Sequence, residues 1–254
     1  MTVITDPLFY IVAVPAVMFL GLSKGGFSSV GMVATPLVAI VMGPLEAAAL
    51  LLPIILVQDA VSVWVYRRTW DPWNLKVMIP GCVIGVGAAW LLAARVSDDV
   101  IRLVVGLIAL GLVAYTYFRQ WLPGETARPR ASHGVFWGAM AGFTTTLIQI
   151  GAPPYYAFVL PQRLPKMVYV GTTVMFFAAA NMMKIVPYFA LGQFSTTGLA
   201  TSFALFPLAI ACNFLGIYLV RITPEARFYQ LTNVIVLLLG CELTRQGLVG
   251  LFWR

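Results

Sequence analysis

Apolar stretches of about 20 residues recur along the chain, over residues 45–66, 73–94, 99–119, 164–191, 196–220 and 226–244. At 1.5 Å per helical residue each is long enough to cross the hydrocarbon core of a bilayer. Two further stretches are apolar but interrupted. Residues 8–42 break at Ser23-Lys24-Gly25-Gly26, which leaves flanks of about 15 residues, roughly 22 Å each and short for an untilted span. Residues 134–161 carry no charge and break around Gly151-Ala152-Pro153-Pro154.

One interruption in each half of the chain prompts a search for duplication. Arg95-Val-Ser-Asp-Asp99 and Arg221-Ile-Thr-Pro-Glu225 each precede an apolar run, 126 residues apart. Gly21 and Gly142 each open a broken stretch, Asp59 and Asn181 lie at matching depth in the third element, and Pro80 and Pro207 lie early in the fourth. The expected architecture is an all-α polytopic membrane protein built from two repeats, 1–120 and 133–254, joined by a polar linker over 121–132. Five elements per repeat is an odd number, so the second repeat is expected to be inverted. Broken or re-entrant helices then meet near the midplane, the arrangement that holds the site in many secondary transporters.

Composition agrees with a membrane chain and excludes an ordinary soluble enzyme. Of 254 residues, 61% are hydrophobic and 10% charged, against about 45–50% and 25% in soluble domains. The net charge of +7 comes from bases in short loops, a positive-inside pattern with no nucleic-acid partner implied. Ten bases fall on one set of loops (among them Arg67, Arg68, Lys76, Arg128, Arg163 and Lys166) and four on the other (Arg95, Arg102, Arg245 and Arg254). The richer side is expected to be cytoplasmic, with both termini periplasmic. Met1 to Pro7 holds Asp6 and no base, so the first apolar segment is expected to stay on the chain. Cys82, Cys212 and Cys241 lie in apolar runs without paired spacing and read as small buried hydrophobes. Trp64, Trp70, Trp73, Trp121, Trp137 and Trp253 cluster near segment ends, as interfacial belts do.

Neither a metalloprotease HExxH, a phosphate loop, a GxSxG elbow nor a Cys/His cluster occurs, and His133 is the one histidine. No enzymatic activity, cofactor or metal site is expected. The polar residues at the breaks point instead to binding. Ser23, Lys24, Gly25, Gly26, Ser28 and Ser29 combine an ammonium, hydroxyl donors and glycines that let backbone approach a ligand. A helix restarting after Gly26 would add free N–H groups, making an anion seat. Thr145, Thr146, Gln149 and Gly151, with Thr144, supply neutral donors at the second break, where hydroxyls bonded back to the helix are the competing reading. Lys184 is a second basic contact or a snorkelling side chain. Asp59 sits deep in its span and is either a proton-coupling carboxylate or the partner of Lys24 or Lys184. Two lysines and one aspartate leave one positive charge at depth, which suits an anion.

The motifs Gly21-Leu-Ser-Lys-Gly-Gly26, Gly31 and Thr35-Pro36 in the first half resemble the sulfite exporter TauE/SafE family of membrane permeases. So do Gly151-Ala-Pro-Pro154, Leu160-Pro-Gln-Arg-Leu-Pro165, Val170-Gly-Thr-Thr173, Asn181-Met-Met-Lys184 and Pro187-Tyr-Phe-Ala-Leu-Gly-Gln193 in the second. The resemblance spans almost the whole chain. It implies a lipid-embedded bacterial inner-membrane carrier that exports small sulfur-containing anions such as sulfite or sulfoacetate-like sulfonates. Import of the same anions, and a receptor subunit that binds without transport, stay open.

Overall fold

The computed structural model describes residues 3–27, 30–39, 41–42, 44–92, 97–119, 130–190 and 194–252. Ser28, Ser29, Arg95, Trp121, Trp253 and most of the 121–132 linker lie outside the described residues. The helices are α1 (Pro7–Gly25), α2 (Ala34–Val38), α3 (Pro44–Tyr66), α4 (Pro72–Leu92), α5 (Asp98–Arg119), α6 (Ala131–Ile148), α7 (Ala152–Val159), α8 (Lys166–Ala190), α9 (Thr196–Ile222) and α10 (Glu225–Phe252). Short 3-10 turns occupy Val30–Val33 and Leu160–Gln162. Among the described residues six helices are long and apolar enough to cross a membrane: α1, α3, α4, α8, α9 and α10. Apolar side chains such as Ile11, Leu91, Phe189 and Leu238 face outward.

Local chemistry explains the breaks. The side chain of Asp6 caps α1 by accepting from the Leu8 N–H at 2.9 Å, and Pro7 occupies the first turn, where its missing N–H costs nothing. Helix α1 ends at Gly26, whose φ of 141° is open to glycine and strained for other residues. Lys24 is therefore in the last turn of α1, one residue inside the helix rather than in the gap. The segment after the gap is not a second flank of about 15 residues but the 3-10 turn and the five-residue α2. At the second break α6 ends at Gln149 in the left-handed region (φ 58°), and Pro153 and Pro154 sit in the first turn of α7, as expected of prolines that start a helix.

The chain forms two compact units, Met1–Trp70 with Thr173–Pro224 and Asp71–Thr172 with Glu225–Arg254. Each draws on both halves of the sequence. In the first unit α1 packs along α9, and α3 packs on α9. Phe9, Ala13, Val17 and Leu20 of α1, Leu50, Leu51 and Ile54 of α3, and Leu205 and Ala209 of α9 share its apolar core. In the second unit α6 packs along α4, and α10 along α5. Each of the two glycines that open the breaks sits at a close helix crossing within its own unit. A β-carbon on Gly21 would stand 2.5 Å from Cβ of Cys212 in α9, and one on Gly142 would stand 2.5 Å from the carbonyl oxygen of Cys82 in α4. Only glycine allows backbones this close. Cys82 and Cys212 are buried as expected; Cys241 is exposed on α10, because that helix turns most of its surface outward.

Candidate functional site

Helix α3 divides along its length. Residues from Ala47 to Ile55 supply the apolar core, and Gln58, Asp59, Ser62 and Tyr66 then form a buried polar stretch. Asp59, Ser62 and Tyr66 are spaced at i, i+3 and i+7, one face of a helix. That face meets the end of α1. The Lys24 ammonium lies 2.7 Å from Oδ1 of Asp59, with the two side chains 14% and 6% exposed. The Ser62 hydroxyl is 2.7 Å from the Lys24 carbonyl oxygen, and the Tyr66 hydroxyl donates to the Gly25 carbonyl at 2.7 Å. These bonds satisfy carbonyls that a helix terminus leaves unpaired, and the cation in the last turn is favoured by the helix dipole.

Two more helices complete the cluster. From α8, the Asn181 amide donates to Oδ2 of Asp59 at 2.6 Å. From α9, the Asn213 amide donates to the Gln58 carbonyl at 2.8 Å, and the Gln58 amide donates to the Ala209 carbonyl at 3.1 Å. Asn213 Oδ1 also lies 3.1 Å from the Ser62 hydroxyl. That hydroxyl has one proton for two acceptors, and the shorter contact is to Lys24. Oε1 of Gln58 is buried without a hydrogen-bond partner.

The structure thus brings Lys24 and Asp59 together, with Gly25 as a capped carbonyl and Gly26 as the turn that ends α1. Ser23 is buried beside them on α1, and Lys184 is fully buried one turn beyond Asn181 on α8. Ser62 and Tyr66 are site residues that the sequence reading misses, although their spacing from Asp59 is a readable signal. Thr145, Thr146, Gln149 and Gly151 belong to the second unit. There the Thr146 hydroxyl donates to the Gly142 carbonyl at 2.7 Å, and the Thr144 hydroxyl to that of Met140 at 2.9 Å. Both protons are donated to carbonyls of the residues' own helix.

In the first-unit cluster a cation and an amide donor meet one oxyanion, the Asp59 carboxylate. Lys24 Nζ and Asn181 Nδ2 converge, from different helices, on the two oxygens of one carboxylate, inside helices long and apolar enough to span. The Lys24 contact is an ion pair, and the Asn181 contact is a charge-assisted hydrogen bond, strong at this length. Among the described residues no group of three or more His, Cys, Asp or Glu is gathered for a metal.

Comparison with curated proteins and with solved structures returned no match. The family model for sulfite exporter TauE/SafE matches residues 13–243, from the middle of α1 to late α10, a span that takes in both breaks and the Lys24–Asp59–Asn181 cluster; the chain belongs to the sulfite exporter TauE/SafE family.

Proposed function

We propose that this protein is a secondary transporter that exports a compact sulfur–oxygen anion, sulfite or a short sulfonate, across the bacterial inner membrane. The observation that carries the reading is the Lys24 ammonium, held in the span at the end of α1 with Asn181 beside it and an anionic group between them. A sulfite or sulfonate head offers the same pattern, negative oxygens on one centre. The family supplies the sulfur chemistry. Ser23, Gly25, Gly26 and Lys184 are assigned to the same seat. Ser28 and Ser29 are assigned to the gap that follows, and Thr145, Thr146, Gln149 and Gly151 to the second break.

The repeat reading, 1–120 and 133–254 with inverted topology and periplasmic termini, is part of this proposal. It is supported by exchanged pairing: the first element of each half lies along the fourth element of the other, α1 on α9 and α6 on α4. Reconstitution tests the function. Vesicles holding the protein should move labelled sulfite or ethanesulfonate, faster in the outward direction of the cell, and Lys24→Ala should abolish the flux. Binding without flux would favour a receptor; flux only in the opposite direction would make it an importer.

A further inference from the structure

We propose that the Asp59 carboxylate is a resident stand-in for the transported anion, so that the anion binds by displacing it and one proton is taken up with each anion. The proposal rests on the reading of Lys24 as the substrate's counter-charge.

Asp59 has both oxygens engaged, Oδ1 by Lys24 at 2.7 Å and Oδ2 by Asn181 at 2.6 Å, and the residue is 4% exposed. This is an oxyanion site already filled by the protein's own oxyanion. Its donors are not carried by Asp59. Lys24 belongs to α1, whose last carbonyls are tied to α3 by Ser62 and Tyr66, and Asn181 belongs to α8. The seat persists when the carboxylate leaves it.

An incoming anion needs the same donors, and two negative groups cannot share one buried ammonium without a strong penalty. Protonation of Asp59 resolves the conflict. The proton is retained on the Asp59 carboxyl, the ammonium passes to the anion, and no covalent bond between heavy atoms forms or breaks. The cluster is neutral before, as ammonium plus carboxylate, and neutral after, as ammonium plus anion plus carboxylic acid. Neither state leaves Lys24 or Asp59 as an uncompensated charge, which is the costly condition for a buried ion. The other titratable or charged groups on the surrounding helices are Tyr10 on α1, Glu46 and Tyr66 on α3, Lys166, Tyr169, Lys184 and Tyr188 on α8, and Cys212, Tyr218 and Arg221 on α9; α2 contributes none.

The test uses full-length protein in detergent and ethanesulfonate, whose head keeps its charge across the working pH range, unlike that of sulfite. Calorimetric titration in two buffers of different ionisation enthalpy should show about one proton taken up per anion bound, with affinity weakening by up to about tenfold per unit rise in pH. Asp59→Asn should bind ethanesulfonate without proton uptake and, at neutral pH, about tenfold or more tightly, since the seat is no longer self-occupied. Anion binding by the wild-type protein without proton uptake would overturn the stand-in role while leaving the transporter reading in place. Undiminished binding by Lys24→Ala, or binding of neither sulfite nor ethanesulfonate by the wild-type protein and Asp59→Asn, would overturn both.

Discussion

Asn181 donates its side-chain amide to the carboxylate of Asp59 at 2.6 Å, across 122 residues of sequence. Asp59 on α3 is the acid and Asn181 on α8 is its donor. Removing that donor leaves a buried carboxylate with one oxygen unmet. Asn181→Leu is expected to lose about 1–3 kcal/mol, read as a lower unfolding midpoint in detergent. Asn181→Asp should lose more as pH rises, because two facing carboxylates resist joint ionisation. An unfolding midpoint of Asn181→Asp independent of pH would place the two side chains apart in solution.

The hydroxyls of Ser62 and Tyr66 hold the last carbonyls of α1. Tyr66→Phe keeps the ring in its buried position and deletes one hydrogen bond, at an expected cost of about 0.5–1.5 kcal/mol. Amide exchange should quicken in the gap after Gly26 and in the last turn of α1 and stay unchanged in the apolar half of the helix. Uniform protection in Tyr66→Phe would mean that the cap is redundant.

Much of this was legible from the residues. Long apolar runs with few charges have few alternatives to helix, so α3, α4, α5, α8, α9 and α10 arise within a few residues of their expected limits, apart from the longer end of α10. The edge of the first break was harder. A lysine between a serine and two glycines looks like part of a gap, yet helix geometry continues until a residue with positive φ ends it, and that residue is Gly26. Ser62 and Tyr66 escape notice because hydroxyls in an apolar run are ordinary until a partner helix exposes carbonyls to them. Thr144 and Thr146 offer donors by composition, but a helical threonine can bond its own i−4 carbonyl, and only the folded geometry reveals that choice.

Close backbone crossings give a direct check on the exchanged pairing. Gly21→Leu and Gly142→Leu each force a side chain into a neighbouring backbone, and each should lose at least about 1–3 kcal/mol, seen as poor folded yield or a lowered midpoint. Gly87, with no neighbour within 4 Å of its virtual β-carbon, provides the control: Gly87→Leu should stay within about 0.5 kcal/mol of wild type. Equal tolerance of leucine at positions 142 and 87 would contradict the packing of α6 on α4.

The Lys24–Asp59 pair can be separated from its structural role by a double replacement. Lys24→Met alone strands the Asp59 carboxylate in the span, and breaking a buried pair from one side costs about 3–5 kcal/mol. Loss of transport in that variant is therefore ambiguous between a missing anion contact and a damaged fold. Lys24→Met with Asp59→Asn removes both charges, and the carbonyl oxygen of the introduced amide can still accept from the Asn181 amide. Its stability should return to within about 1–2 kcal/mol of wild type, because buried ion pairs contribute little net over neutral replacements. If Lys24 is the substrate's counter-charge, sulfite and ethanesulfonate flux should remain absent in this restored protein. A double variant that is stable and transports at the wild-type rate would reduce the pair to a structural ion pair, with the anion bound elsewhere.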